Sequence, residues 1–463
     1  MRDDWKTLTL GEIVENKSRR FDFKNHNDVV FINTGDVLEG KFLHSDLSSK
    51  VGLPGQAKKA IKQGDILFSE IRPANKRFAL VDFDSENYVV STKFMVLSII
   101  TDEVDLLYLY LIITNNHFLS ELQHIAESRS GTFPQITFDT ISYLPIPIPP
   151  LQEQKTIAHI LGSLDDKIEL NRQMNETLEQ MAQALFKSWF VDFDPVIDNA
   201  LAAGNPIPEA LQAKAEKRRK ANRHSALDAE SANKLPQNFR QLFPASFTFT
   251  EELGWIPEGW RVGKLEEEVD VMTGFPFKSK EYDLEEGVKV VRGENVSLGF
   301  LRWDSKKMWS KETSHLDNYW LKEYDIVIGM DGSRVGRNRS FIPQFELPLL
   351  LAQRVACIRD KGNLGQPYIG QYLLTERFEK YVELVKTGTS IPHISAKQIK
   401  DYEIIIPSKD LAKEFSRISF DNLKKIFTNK KENQILSKLR DTLLPKLISG
   451  ELRVGEGVIA NKI

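Results

Sequence analysis

Cysteine and long apolar runs are scarce in this chain, and their scarcity narrows its class. The 463 residues include one cysteine, Cys357, which lies in an apolar run and is predicted to be a buried, inert thiol. One cysteine forms no internal disulfide, which suits a reducing compartment. The first residues lack the apolar core of a signal peptide, and the most apolar stretch, Leu106–Thr114, is far shorter than the ~20 residues of a membrane span. We expect a cytoplasmic protein with no membrane segment.

Sequence motifs for catalysis are absent too. None of GxSxG, HExxH and GxGxxG occurs, and the eight histidines do not cluster at metal-ligand spacing. Residues 35–41 fit GxxxxGK, but Phe42 stands where a P-loop needs the hydroxyl that binds Mg²⁺, so a turn between strands is the better interpretation. The sequence therefore predicts a non-catalytic chain that holds no metal or cofactor of its own.

A basic field over the whole protein is also missing, because 62 Lys and Arg face 65 Asp and Glu and the formal net charge is −3. Any nucleic-acid site must therefore be a local concentration of Arg and Lys. With 41% hydrophobic and 27% charged residues, the composition is that of an ordinary globular protein. The length allows about two or three domains with cores of their own.

What the chain does have is an internal repeat. Pro134 and Pro392 lie in similar segments, at a separation of 392 − 134 = 258. The same shift aligns further pairs along the chain: Ile141 with Ile399, Pro149 with Pro407, Asn171 with Asn429, Asn175 with Asn433, and Leu185 with Leu443. A shift this constant predicts two copies of one module, each ending in a long helix. A protein built as two similar halves is expected to read a target that has two halves.

Each copy mixes short strands with helices. Apolar runs bounded by turn residues predict strands in the first copy at Val29–Ile32, Asp65–Phe68, Phe78–Val81 and Phe94–Ile99. Leu106–Ala126 is predicted as a helix, whereas the alternating Ile and Pro of Leu144–Pro150 require extended chain. The predicted organisation is a first mixed module at 1–150, a central helix at 151–190, a connector at 191–253, a second mixed module at 254–407, a distal helix at 408–448 and a tail at 449–463. Within the connector, Asp192–Gly204 reads as a loop and Pro208–Asn222 as a short helix.

The two predicted long helices carry a heptad seam, in which apolar residues alternate in steps of four and three. The seam residues that we expect at the helix and subunit interface are Leu164, Ile168, Asn171, Asn175, Leu178 and Leu185 in the central helix, and Ile426, Asn429, Asn433, Leu436 and Leu443 in the distal helix. Asparagine in a seam costs stability but fixes register and partner. The paired Asn positions predict that the helices lie against each other, Asn facing Asn; two unrelated amphipathic helices are the alternative.

Loops rich in Arg and Lys follow equivalent strands in the two copies. Arg binds guanine bidentately, Asn binds adenine, and Lys and Ser hold phosphates, so such loops suit DNA. The candidate DNA-binding residues are Arg72, Asn75, Lys76, Arg77 and Arg129 in the first copy, and Ser333, Arg334, Arg337, Asn338 and Arg339 in the second. Hairpin turns with solvated charges are the alternative for each loop alone. Their coincidence at equivalent positions favours DNA contact.

Several segments together resemble a known family, the specificity subunits of type I restriction-modification enzymes. The most telling are Pro149–Gln154, Leu164–Asn171, Phe186–Pro195, Gly254–Trp260 and Ile448–Leu452. The resemblance covers essentially the whole chain. It implies an α+β architecture with pseudo-twofold symmetry, in which two repeated target-recognition domains are joined by two long helices in an antiparallel coiled coil.

The resemblance also implies partners. The chain would bind double-stranded DNA at an interrupted, bipartite sequence and dock two modification subunits and the restriction subunits that contain the motor and nuclease. S-adenosylmethionine, ATP and Mg²⁺ would be bound by those partner subunits, so that the complex, and not this chain, is a DNA adenine methyltransferase and ATP-dependent endonuclease. The distal helix departs from the central one by its Lys424-Lys425 and Lys430-Lys431 pairs, so the two docking faces are expected to be unequal. A coiled-coil scaffold without a DNA role is the alternative function.

Overall fold

Two compact units make up the chain. The computed structural model describes residues 5–129, 134–227, 237–388 and 390–453. Unit 1 comprises Met1–Glu169 with Asn433–Ile463, and unit 2 comprises Leu170–Glu432. Each unit thus combines one mixed module with a part of both long helices.

Unit 1 contains twelve strands among its described residues. They are β1 (Lys6–Thr9), β2 (Val14–Asn16), β3 (Asp28–Ile32), β4 (Val37–Leu38), β5 (Lys41–Phe42), β6 (Leu47–Ser49), β7 (Ala57–Ala60), β8 (Ile66–Ser69), β9 (Phe78–Leu80), β10 (Tyr88–Ser91), β11 (Phe94–Ile99) and β12 (Pro145–Ile148). Its helices are α1 (Leu10–Ile13), α2 (Leu106–Thr114), α3 (Asn116–Arg129), α4 (Phe138–Ile141) and the first part of α5 (Leu151–Phe186). The four strands predicted from apolar runs are confirmed as β3, β8, β9 and β11, and the extended Ile-Pro segment as β12.

The core of unit 1 lies on both faces of the sheet β2-β11-β8-β9. Successive side chains of a strand point to opposite faces. Ile66 and Phe68 of β8 therefore pack toward the helices, whereas Leu67 packs with Val30 and Val90 toward the second sheet, β6-β3-β10-β7. Strands β3 and β10 are parallel neighbours in that second sheet.

Unit 2 repeats this arrangement. Its strands are β13 (Phe247–Thr250), β14 (Gly254–Pro257), β15 (Arg261–Lys264), β16 (Val269–Thr273), β17 (Val288–Val291), β18 (Val296–Ser297), β19 (Phe300–Leu301), β20 (Met308–Trp309), β21 (Ile326–Gly329), β22 (Arg339–Phe341), β23 (Leu349–Leu351), β24 (Val355–Asp360) and β25 (Glu403–Ile406). Its helices are α6 (Asp194–Ala203), α7 (Gln212–Leu227), α8 (Gln237–Arg240), α9 (Leu265–Glu268), α10 (Gln366–Leu373), α11 (Glu376–Val385), α12 (Ala396–Lys400) and most of α13 (Lys409–Ile448). The sheet β16-β24-β21-β22 matches β2-β11-β8-β9, and the parallel pair β17 and β23 matches β3 and β10.

Individual hydrogen bonds recur in the two units at shifts of 258 to 260 residues. The recurring pairs are Arg72 N to Pro134 O at 3.0 Å and Gly332 N to Pro392 O at 3.0 Å; Ile136 N to Glu70 O at 2.8 Å and Ile394 N to Met330 O at 3.0 Å; and Tyr108 Oη to Pro147 O at 2.9 Å and Tyr368 Oη to Ile405 O at 2.7 Å. The buried carboxylates Asp65 and Asp325 also accept from equivalent backbone amides, Lys62 N and Lys322 N, both at 2.7 Å. The repeat seen in the sequence is therefore a repeat of the fold.

The long helices α5 and α13 run antiparallel within unit 2. Asn429 Nδ2 donates to Asn175 Oδ1 at 2.9 Å, and Asn171 Nδ2 donates to Glu432 Oε2 at 2.8 Å. Residue 175 of α5 contacts residue 429 of α13, and residue 171 contacts residue 432, so the residue numbers of the two helices run in opposite directions. Asn429 is completely buried and Asn175 is 6% exposed, so this amide pair lies inside the seam.

The parts of the same helices in unit 1 are also antiparallel. Arg440 Nη1 pairs with Asp165 Oδ1 at 2.6 Å, and Asn433 Nδ2 donates to the backbone oxygen of Ile168 at 3.1 Å. Of the seam residues, Leu443 packs against the unit 1 core, and Leu178 and Ile426 pack together in unit 2, where Leu185 joins the unit 2 core. Leu164 and Leu436 are half-buried.

Two local predictions were wrong. The helix expected over Leu106–Ala126 is two helices, because the side chain of Asn115 ends α2 by donating to Ile112 O at 2.6 Å and begins α3 by accepting from Phe118 N at 2.8 Å. The stretch expected to be a loop at Asp192–Gly204 is mostly helix α6. Pro195 suits the first turn of that helix, and Gly204 ends it in the left-handed conformation, with φ 72°.

Candidate nucleic-acid interface

The loop after β8 in unit 1 projects its first basic side chain into solvent. Arg72 adopts left-handed backbone angles, with φ 44°, and Pro73–Asn75 form a short 3₁₀ turn behind it. The backbone amide of Arg72 is fixed by Pro134 O at 3.0 Å. The side chains of Arg72 and Asn75 are exposed. The side chains of Arg72 and Asn75 thus lie in solvent on a loop whose backbone is fixed by a hydrogen bond to Pro134.

The last two basic residues of this loop, Lys76 and Arg77, bind to other parts of the protein instead. Arg77 Nη1 donates to Gly35 O at 3.0 Å and to Val37 O at 2.8 Å, and Lys76 Nζ lies 3.0 Å from Glu39 Oε1. These contacts attach the loop to the β4–β5 hairpin. This hairpin overlaps residues 35–41, the segment whose sequence fits GxxxxGK. The predicted turn is confirmed by positive φ angles of 46° at Glu39 and 87° at Gly40. Because these cations already have protein partners, they are weaker candidates for contact with bases.

The equivalent loop of unit 2 follows β21 and is one residue longer. Ser69 N bonds to Arg77 O in unit 1, and Gly329 N bonds to Asn338 O in unit 2, so the shift grows from 260 to 261 across the loop. Its tip carries Ser333 and Arg334, whose side chains are exposed.

Beyond the tip of this second loop, the polar side chains lie closer to the protein. Arg337 is exposed, with its Nε 3.7 Å from Glu379 Oε2, and Asn338 is half-buried.

Arg339 does not belong to this surface, which corrects the prediction that it contacts DNA. The extra loop residue moves it into strand β22, opposite Ile328, where unit 1 has Phe78 opposite Phe68. Its side chain is 5% exposed, and Nη1 donates to Gly336 O at 2.9 Å. Burial lowers the pKa of Arg339 to about 10. A guanidinium held this deep cannot reach a base edge.

Arg129, the remaining candidate of unit 1, ends helix α3. Its side chain lies outside the described part of the structure, so its role stays a prediction.

A cleft of about 880 Å³ borders the second loop. It is lined by Arg334 and by three arginines that sequence reasoning missed, Arg292, Arg302 and Arg354. Arg354 is 59% exposed on the turn between β23 and β24 and has φ 77°, which is uncommon for a residue with a side chain. Polar Gln353 and Arg354 between two apolar runs were the signal in the sequence for this turn.

Two carboxylates, Glu294 and Asp331, line this cleft beside its four arginines. Asp331 Oδ1 lies 2.6 Å from His393 Nδ1, and Asp331 Oδ2 lies 3.5 Å from Arg354 Nε. Met330 N bonds to Arg354 O at 3.0 Å, which ties the β23–β24 turn to the loop. The cleft therefore keeps a net excess of positive groups for an anionic ligand.

Unit 1 has a basic cleft of about 650 Å³ next to the parallel strands. Five cations and no carboxylate are among its lining residues: Arg19, Arg20, Lys50, Lys58 and Lys59. Arg19 is paired with buried Asp65, and Lys59 Nζ donates to Phe94 O at 2.6 Å. Arg20 and Lys58 are exposed. Neither was predicted, although the pairs Arg19-Arg20 and Lys58-Lys59 are visible in the sequence, because neither pair lies in the loops that recur in both copies.

Candidate metal ligands are not clustered in the described ranges. No cluster of three or more His, Cys, Asp or Glu side chains there is able to hold a metal ion. Cys357 is completely buried in β24, and burial raises the pKa of its thiol well above the usual value. No helix in the described part of the chain has the length and apolarity to cross a membrane.

Comparison with known proteins decides the family. Residues 2–180 and 257–437 each match the type I restriction modification DNA specificity domain. The chain belongs to this family. It is 38% identical, over 97% of its length and 100% of the relative's, to the type I restriction enzyme HindI specificity subunit of Haemophilus influenzae. The type I restriction enzyme EcoAI specificity subunit of Escherichia coli is 26% identical over 83% of this chain and 67% of that protein.

A solved structure agrees in fold. The type I restriction-modification system S subunit from M. genitalium has a TM-score of 0.52 and 16% identity, over 96% of this chain and 97% of that one. The family match and the relatives confirm the resemblance stated from the sequence, the duplicated domains and the role in DNA specificity. The solved structure agrees with the α+β class. Specificity subunits are themselves non-catalytic.

Proposed function

We propose that each unit reads one half of an interrupted DNA sequence on behalf of a type I restriction-modification complex. One observation carries the proposal: the exposed Arg72 and Arg334 stand on equivalent loops, each with its backbone anchored to an equivalent proline segment. Two copies of one reading device suit a target with two short halves. The scaffold alternative does not explain why both loops display guanidinium groups.

The side chains of the two loops divide by chemistry. Arg72 and Arg334 are the candidates for bidentate contact with guanine, and Asn75 for contact with adenine, because their exposed groups match those base edges. Ser333 and Arg337, together with Arg302 and Arg354 of the cleft, suit phosphate contacts that fix register. In unit 1, Arg20 and Lys58 take that phosphate role.

Partner subunits supply the chemistry in this proposal. Two modification subunits with S-adenosylmethionine, and restriction subunits with ATP and Mg²⁺, would dock on the chain in a bacterial or archaeal cytoplasm. The long helices offer exposed apolar side chains for docking: Leu170 at 52%, Met181 at 57%, Ile435 at 58% and Leu439 at 43% exposure. Such exposed apolar side chains are the groups that a docking partner would cover.

Binding by the assembled complex tests the proposal. The chain is purified with its modification subunits and titrated against a library of random duplexes at two salt concentrations. We expect selection of one interrupted sequence, with affinity that falls as salt rises because phosphate contacts release counterions. Arg417→Ala, which replaces an exposed arginine of α13 that lines neither cleft, is the matched control. A complex that binds all duplexes equally would refute DNA reading by this chain.

A further inference from the structure

Unit 2 contains a cavity of about 240 Å³ between β22, α10 and the long helices. The equivalent positions in unit 1 carry large apolar side chains. There Phe78, Tyr110 and Leu161 pack in one hydrophobic cluster, with the rings of Phe78 and Tyr110 at 6.1 Å. The difference between two otherwise matching units points to these three positions.

All three positions change in unit 2. The strand pairing places Arg339 where unit 1 has Phe78. The shift of 260 that relates Tyr108 to Tyr368 in the equivalent helices α2 and α10 places Gly370 at Tyr110. The shift of 258 that relates the long helices places Ser419 at Leu161. An aromatic ring, a phenol and an isobutyl group are thus replaced by a guanidinium, a hydrogen and a hydroxymethyl group.

Part of the vacated space is filled by Phe341, at the position of Leu80. A Cβ on Gly370 would lie 2.2 Å from the ring of Phe341, so a side chain at that position would displace the ring. The rest remains open and has mostly apolar walls, to which Ile326, Leu423 and Ile426 contribute. Water fills such a space poorly, because apolar walls offer few hydrogen-bond partners.

Two polar atoms on residues that line the cavity have no hydrogen-bond partner among the described residues, although Arg339 Nη2 lies 3.8 Å from Glu379 Oε1. They are Arg339 Nε and Ser419 Oγ, on side chains that are 5% and 4% exposed. A buried donor without a partner destabilises the folded chain. At the cavity rim, Lys430 Nζ is already engaged, because it donates to Gly299 O at 2.8 Å and lies 3.8 Å from Glu179 Oε1. Both unpartnered groups are able to donate, so the missing partner is an acceptor.

We propose that this cavity binds a small organic monocarboxylate, whose carboxylate accepts from Arg339 Nε and Ser419 Oγ and whose compact apolar body fills the apolar part. The size fits one ring or a short branched chain. The site exists in unit 2 alone, because Phe78 and Leu161 occupy its counterpart in unit 1. The proposal is independent of DNA reading, since Arg339 and Ser419 lie outside both basic clefts.

Benzoate is the probe, with uncharged benzyl alcohol as its isosteric comparison. Binding to the full chain is measured by saturation-transfer NMR and by calorimetric titration. We expect one benzoate per chain. Ser419→Leu restores the residue of unit 1, fills the cavity and should weaken benzoate binding at least tenfold. Ser419→Ala removes only the hydroxyl and should weaken it severalfold, and Arg339→Met at least tenfold. Arg417→Met, which removes a positive charge from the same helix outside the cavity, should leave binding unchanged.

Each remaining outcome overturns the proposal. Equal binding of benzoate by the wild type and Ser419→Leu would mean an adventitious surface site. Equal binding of benzyl alcohol would remove the carboxylate assignment. No saturation transfer from benzoate, phenylacetate or cyclohexanecarboxylate at millimolar concentration would mean that the cavity takes no such ligand. Tryptophan fluorescence checks that each variant is folded.

Discussion

The amide pair inside the helix seam of unit 2 allows the sharpest test of the structure. Asn429 Nδ2 donates to Asn175 Oδ1 at 2.9 Å, and both side chains are at least nine-tenths buried. Asn429→Leu removes the donor and leaves the Asn175 amide buried without its partner. Asn175→Leu does the same from the other side. The double variant removes both polar groups and places Leu against Leu.

The expected changes in the free energy of unfolding depend on whether a variant leaves one amide buried without its partner. An amide left buried without its partner costs ~1–3 kcal/mol, partly offset by the apolar surface that the new Leu buries, so each single variant should lose about 1–2 kcal/mol. The double variant should lie within about 1 kcal/mol of the wild type, because no amide is left unsatisfied. The coupling between the two positions is then about 1–3 kcal/mol.

Urea unfolding followed by tryptophan fluorescence measures these changes in the relevant unit. Trp5 is the single tryptophan of unit 1, so 7 − 1 = 6 of the tryptophans report on unit 2. Thr428→Leu, at an exposed position beside Asn429, is the matched control and should change stability by less than ~0.5 kcal/mol. Additive losses in the double variant would refute the direct contact between the two amides.

Further predictions concern the base-reading loops, a buried ion pair and the thiol. Arg72→Ala and Arg334→Ala should each cost ~1–3 kcal/mol at one half-site only, measured by competition between duplexes altered in either half; equal losses on every duplex would identify a phosphate contact instead. Asp325→Asn should destabilise unit 2 by about 2–4 kcal/mol in urea unfolding, because Arg359 loses a bidentate partner that is 2% exposed; a variant as stable as the wild type would contradict this. Cys357 should resist Ellman's reagent at pH 8 in the folded chain and react once guanidinium unfolds it, because burial raises the pKa of its thiol; rapid labelling of the folded chain would show the opposite.

Periodicity and self-similarity made much of the fold predictable. The heptad steps predicted both long helices, because the residues that a helix buries on one face recur with the period of the helix. The constant shift predicted two copies of one module. Element ends set by a single side chain were not predictable in this way. The double cap made by Asn115 split a continuous helical pattern, and Gly204 ended a helix in a stretch read as loop.

The candidate site was predictable only in outline. The Arg and Lys residues of the two loops predicted where DNA is read. Whether a given side chain is buried depends on which residue of the loop enters the next strand. One extra residue in the second loop carried Arg339 into the core, although Arg337 two positions earlier is exposed. Arg354 and Arg20 reach the clefts from separate strands and turns, so no local pattern joins them to the loops.

Mapping of methylated bases across the genome shows which DNA sequence this chain selects. Cells that carry this chain with its modification subunits are compared with cells that carry the Arg72→Ala or the Arg334→Ala variant. We expect methylation at one interrupted sequence with two short halves, and each variant should relax a different half. A contiguous methylated sequence, or loss of the same half in both variants, would contradict the assignment of one half-site to each unit.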